Sequence, residues 1–143
     1  DAGGATVMTF EEALVRRVVG SPIGAMLGAW AGTRAVHWGD RPEGAPLAAI
    51  VFTMIDPGVD YSHGGRDKLR IAQVQADSMA ADYSTARAIA DALGQLLEGA
   101  DETTAIHFTH GFIDLEREIP MTDVRGSQSV FGRTQRLSIY HKE

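Results

Sequence analysis

Leu69-Arg70-Ile71-Ala72-Gln73-Val74-Gln75-Ala76-Asp77-Ser78-Met79, followed closely by Ser84-Thr85-Ala86-Arg87-Ala88-Ile89-Ala90-Asp91-Ala92-Leu93, decides the fold. The first stretch alternates: Ala72, Val74 and Ala76 share one side and Gln73, Gln75 and Asp77 the other, as in a strand with one face on a core. In the second, Ala86, Ile89, Ala90, Leu93, Leu96 and Leu97 trace one face of a helix, capped by Ser84 and ended at Gly99. A half-buried strand therefore hands over to an amphipathic helix. The strand's other face is polar and mostly uncharged, which suits a subunit interface or a lumen.

Upstream, Ala49 to Ile55 (AIVFTMI) is a nearly continuous apolar run, too short for a typical helix, and reads as a strand buried on both faces. Arg34 to Trp38 reads as a short edge strand, Gly39 to Gly44 as a loop, and Ile23 to Gly32 as a short packed turn or helix. Thr9-Phe10-Glu11-Glu12 is a capping box, and Phe10, Leu14 and Val18 recur at four-residue spacing behind it. Gly20 and Pro22 end that first helix. Downstream, Ala105 to Leu115 returns to strand character with Ile106, Phe108 and Phe112 on one side, and Val130 to Tyr140 is the last strand. Two segments read as long polar loops, Val59 to Lys68 and Glu116 to Gln128, the latter on the strength of Pro120, Gly126 and mixed charge. The order α, β, β, β, α, β, β lacks regular βαβ alternation. It predicts an α+β class: a mostly antiparallel sheet packed by two main helices.

The chain has 143 residues, 44% hydrophobic and 22% charged, the size and composition of one ordinary globular domain. Residues 8–143 are expected to form it; Asp1 to Val7 (DAGGATV) reads as a flexible extension or cloning remnant before Met8. A net charge of −6 leaves no global basic field for phosphates, and no apolar run reaches the length of a membrane span. Cysteine is absent, which removes disulfides, thiolate metal sites and cysteine nucleophiles together.

Chemical motifs are sparse. His107-x-x-His110 with Asp114 is the best metal-like cluster, but on a regular strand residues three apart point to opposite faces. Gly64-Gly65-Arg66-Asp67 lacks the phosphate-loop pattern and a following helix, so it reads as a loop tip. The acid pairs Glu11/Glu12 and Asp101/Glu102 fall on a helix start and a turn. No catalytic, cofactor or metal role is assigned to any residue. The rival class, a small-ligand or metal-binding domain or enzyme, would rest on His107, His110 and Asp114.

Taken in order, several segments resemble the phage tail-completion family, the small tail-terminator-like proteins of long-tailed phages, prophages and gene transfer agents. Met8 to Val19 (MTFEEALVRRVV) looks like the family's first helix, and Pro46-Leu47-Ala48-Ala49-Ile50 like the proline-led approach to its buried strand. Asp60-Tyr61-Ser62-His63 and the glycine turn after it resemble a variable arm. Arg70 to Ala80 is similar to the central strand, Tyr83 to Ala90 to the helix that follows, and Arg136 to His141 to the final strand. Gln75 and Ser78 depart from the pattern, standing where the family more usually has apolar or aromatic residues.

The resemblance implies a non-enzymatic assembly protein: a hexameric ring on the last ring of tail-tube protein, which stops tube growth and meets a head-side connector or stopper, the alternative within the same tail being another structural subunit such as a connector or a tube protein. It implies a place at the head–tail junction of a phage-like particle assembled in the host cytoplasm. No cofactor, membrane or specific nucleic-acid partner is implied, although DNA passes through the lumen of such rings. Ring formation needs two different patches on each subunit, and the expected interface residues are Tyr61, His63, Arg66, Asp67, Gln73, Gln75, Asp77, Arg117 and Arg125.

Overall fold

Thr9 starts the first helix as its capping pattern requires, its hydroxyl oxygen accepting from the Glu12 amide at 3.1 Å. This computed structural model describes residues 9–39, 41, 46–57, 70–101, 106–122 and 129–142. Helix α1 (Phe10–Val19) ends at Gly20 and leads into a 3-10 turn, Pro22–Met26, begun by Ser21. Gly24 lies so close to α1 that an added Cβ would meet the Val19 carbonyl oxygen at 2.4 Å. The short packed element expected over Ile23 to Gly32 thus occupies only the first half of that stretch. The second half enters a small hairpin of β1 (Ala29–Trp30) and β2 (Thr33–Arg34), turning through Ala31 and Gly32 at φ 49° and 81°.

Among the described residues five further strands make one sheet: β3 (Val36–Trp38), β4 (Ala49–Asp56), β5 (Arg70–Ala80), β6 (His107–Thr122) and β7 (Ser129–Lys142). They lie in the order β3-β4-β5-β7-β6, and every pairing except the parallel β3–β4 contact is antiparallel. With α2 (Tyr83–Glu98) and α1 against one face, the class is α+β, as the order of elements predicts.

Three local expectations are corrected. Helix α2 is capped by Asp82 and not by Ser84: the Asp82 carboxylate accepts from the Thr85 amide at 3.0 Å and its hydroxyl at 2.6 Å. Strand β4 is buried on both faces only over Ala49 to Phe52, beyond which Thr53, Ile55 and Asp56 are exposed. The largest correction is at Glu116, where a loop was expected; β6 instead continues to Thr122, paired with β7 as far as Ser129. Pro120 is no obstacle there. Among the described residues β6 is the outermost strand of the sheet, and an edge strand is where proline is tolerated.

The core between helices and sheet gathers Leu14 and Val18 from α1, Ile89, Leu93 and Leu97 from α2, and Phe52, Val74, Phe108, Leu137 and Ile139 from the sheet. Small residues let α2 sit close. Ala72 and Ala76 are fully buried, and a Cβ on Gly111 of β6 would meet the Leu97 carbonyl oxygen at 2.3 Å. Arg17 ties the two helices together: its buried guanidinium donates to the carbonyls of Leu96 and Gly99, the latter at 2.7 Å, at the end of α2. It also lies 3.7 Å from Asp101 and over the Phe108 ring. Burial lowers the pKa of Arg17 and Asp101 opposes that effect; the cation sits at the end of α2, adding a donor to the Leu96 carbonyl, which also accepts from the Gly99 amide at 3.3 Å, and to the Gly99 carbonyl.

Candidate functional site

Both helices cover the same side of the sheet, so the other side is where alternation leaves side chains free to meet a partner. Its β3 end is closed, because His37 and Val51 are buried there and the Trp30 ring of the small hairpin stands edge-on to His37 at 6.1 Å. The rest is open. Strand register lays its residues out in rows: Thr53, Gln75, Arg136 and Leu115 in one, Asp77, Thr134 and Arg117 in the next. Gln73, Ser138 and Phe112 form another row, and Ile71, Tyr140 and His110 the last.

The middle of this face is polar and internally bonded. Thr134 donates to Asp77 at 2.7 Å, Gln75 reaches the same carboxylate at 3.4 Å, and Ser138 donates to Asp114 at 2.5 Å. One end is aromatic. The His110 ring stacks on Tyr140 at 4.2 Å, and Phe112 stands edge-on to both, 5.3 Å from His110 and 5.8 Å from Tyr140. Ile71 and Leu115, both exposed, continue the patch.

Of the sequence-expected interface residues, Gln73, Gln75, Asp77 and Arg117 are brought together on this one face, the first three half-buried and Arg117 exposed. Tyr61, His63, Arg66, Asp67 and Arg125 lie outside the described residues, as do residues 1–7 and the loop 59–68. Ser78, one of the two departures from the family pattern, points to the helix side and is buried; Gln75 points to the open side.

The aromatic end was missed in the sequence, where Phe108 and Phe112 share a side by simple alternation. A bulge between Phe108 and His110 changes the parity: Phe108 stays in the core and Phe112 emerges opposite Ser138 on the open face. Gly111, which lies just past the bulge and marks the close approach to the Leu97 carbonyl, is the nearest trace of irregularity in the sequence. The same bulge corrects the reasoning about His107 and His110. Their partners on β7, Lys142 and Tyr140, are two apart, so both histidines are on one side and not on opposite faces. Even so, no group of three His, Asp or Glu able to hold a metal ion occurs among the described residues, and the His110 ring is engaged with Tyr140.

On the helix side, where α2 begins beside the far end of β6 and β7, lies a cleft of about 400 Å³. Tyr83, Ala86 and Arg87 form one wall, and Glu118, Phe131, Gly132 and Arg133 the other. The rings of Tyr83 and Phe131 meet at 87° with centroids 6.4 Å apart. Arg133 is held by Glu116 at 2.6 Å and Glu118 at 3.7 Å. Burial alone would lower its pKa, but the hydrogen bond and charge of Glu116, with Asp91 and Glu118, raise it on balance. Tyr83 donates to Glu118, and that hydrogen bond raises the phenol's pKa. Neither ring was singled out from sequence, because only strand register brings Phe131 to the start of α2.

No family model matches the chain, and no curated protein matches it in sequence. Among solved structures it is similar to a chain of the virion of a native gene transfer agent particle, at 15% identity and a TM-score of 0.56. That likeness spans 91% of this chain and 92% of the other. It is a likeness of fold.

Proposed function

We propose that this protein is a structural, non-enzymatic subunit of a phage-like particle, and that copies of it assemble into a ring that ends a tail tube and meets the head-side connector. The observation that carries the reading is the fold likeness to a gene transfer agent virion chain over nearly the whole of both proteins. The open sheet face supports it. A sheet covered by helices on one side and left bare on the other, with aromatic and polar residues side by side, has the makeup of a surface that another protein completes.

The ring, a hexamer by the family resemblance, would use Gln73, Gln75, Asp77 and Arg117 on the open face, with Tyr61, His63, Arg66, Asp67 and Arg125 contributing from segments beyond it. Its partners would be copies of itself, tail-tube protein and a connector or stopper, with DNA passing through the lumen without specific binding. The test is assembly of tail tubes in the presence of the purified protein. Tubes of uniform length with a ring at one end support the reading, while tubes that grow unchecked overturn termination. Replacing Tyr61 by Ala together with Arg66 by Glu should weaken ring formation or capping and leave the melting temperature unchanged. Normal rings and normal lengths from that double variant would remove residues 59–68 from the interface.

A further inference from the structure

We infer that the Tyr83–Phe131 cleft of one copy receives the Phe112 side chain of the next, so that copies join head to tail; this rests on the proposal that the protein forms a ring. The cleft's charges have partners within the molecule. Arg133 is bracketed by Glu116 and Glu118 and Tyr83 donates to Glu118; Arg87 at the rim, 3.9 Å from Asp91, keeps an exposed guanidinium. What the cleft still offers is ring surface, Tyr83 being 44% and Phe131 40% exposed, so its occupant is an apolar side chain and not an ion.

Phe112 has the matching shape. At 52% it is the most exposed large hydrophobic side chain among the described residues, and its contacts with His110 and Tyr140 hold the ring in place before any partner arrives. The charges beside the two features also match. An exposed Asp114 carboxylate neighbours Phe112, and an exposed Arg87 guanidinium rims the cleft.

Placement decides the symmetry. Phe112 pairs with Ser138 and projects from the open face, whereas Phe131 lies seven residues further along β7 on the helix side. At about 3.3 Å per strand residue the two features are roughly 23 Å apart, on opposite faces of the sheet. A projection and a recess so arranged do not satisfy each other across a two-fold axis. Each copy is left with one of them free, and the contact propagates until a ring closes.

The chain has no cysteine, which makes the test clean. Asp114→Cys and Arg87→Cys are made singly and together, both sites being exposed and leaving the Phe112 and Phe131 rings in place, and each protein is treated with a short thiol-to-thiol cross-linker. The double variant should give a ladder of covalent multimers topping out at the ring size, and each single variant should give none. Covalent dimers from Asp114→Cys alone would show open faces meeting each other and overturn the inference. So would the absence of a ladder while the protein still sediments as a ring, an outcome that leaves the ring reading standing. A parent protein that sediments only as a monomer overturns the ring reading and the inference together.

Discussion

On β5, Ala72, Val74 and Ala76 point beneath α2 and are fully buried, while their neighbours Gln73, Gln75 and Asp77 point the other way and remain half exposed. The same contrast runs through β6 and β7, where Phe108, Leu137 and Ile139 are sealed in the core and Phe112, Arg136 and Tyr140 are not. Alternate residues of the same strands thus meet different demands. The covered face is shaped by volume, with small residues placed so that a helix backbone can rest on the sheet. The bare face, on the proposed function, is shaped by partners, and its polar groups bond among themselves. Changes on the first should therefore register as lost stability, and changes on the second as altered association.

Leu93→Ala should show the largest effect, a loss of roughly 2–5 kcal/mol read from urea unfolding, because a fully buried side chain at the centre of the α2 face leaves a cavity. An unchanged midpoint would mean that α2 does not pack as described. Gly111→Ala comes next, at about 1–3 kcal/mol, since the new methyl meets the Leu97 carbonyl and a backbone atom has little room to move. Arg17→Met should cost about 1–3 kcal/mol by taking the side-chain donor from the Gly99 carbonyl and one of two donors from the Leu96 carbonyl; hydrogen exchange should rise first in the last turn of α2. On the open face, Phe112→Ser should move monomer stability by no more than about 0.5 kcal/mol while weakening self-association in sedimentation. A large drop in melting temperature there would abolish the distinction between the faces.

The smallest effect is expected at Asp82. Hydrogen bonds from the Thr85 side chain and amide hold its pKa below the ordinary 3.8, so its contribution to stability is present at neutral pH. It is lost as pH falls from near 3.8 through the lower folded-state value. The difference in melting temperature between wild type and Asp82→Ala should therefore be visible at pH 7 and close in stronger acid; a gap that widens in acid would contradict the sign.

Periodicity made the covered face legible. β5 and α2 announce themselves by repeats of two and 3.6, and Leu93, Ile89 and Val74 fall where those repeats place them. The Asp82 cap was less legible because Ser84, two residues on, is an equally suitable cap by type, and only geometry chooses between them. The open face was half legible. Gln73, Gln75, Asp77 and Tyr140 could be placed by alternation, but Phe112 depends on a bulge in β6 that no period reveals. The run from Glu116 to Thr122 reads as loop because proline and mixed charge are loop-like in isolation; an edge strand accommodates both, and which strand lies at the edge is a property of the whole sheet. The cleft could not be read at all, since Tyr83 and Phe131 come together only through the pairing of Ala80 with Phe131 across β5 and β7.

Whether the bare face exists to be covered by other copies is settled most directly by the native mass of the protein across a concentration series, with electron micrographs of the same sample. The account predicts a discrete closed multimer, seen end-on as a ring with a central opening, whose population falls when Phe112 is replaced by Ser. A monomer at every concentration, or a dimer indifferent to that substitution, would contradict it.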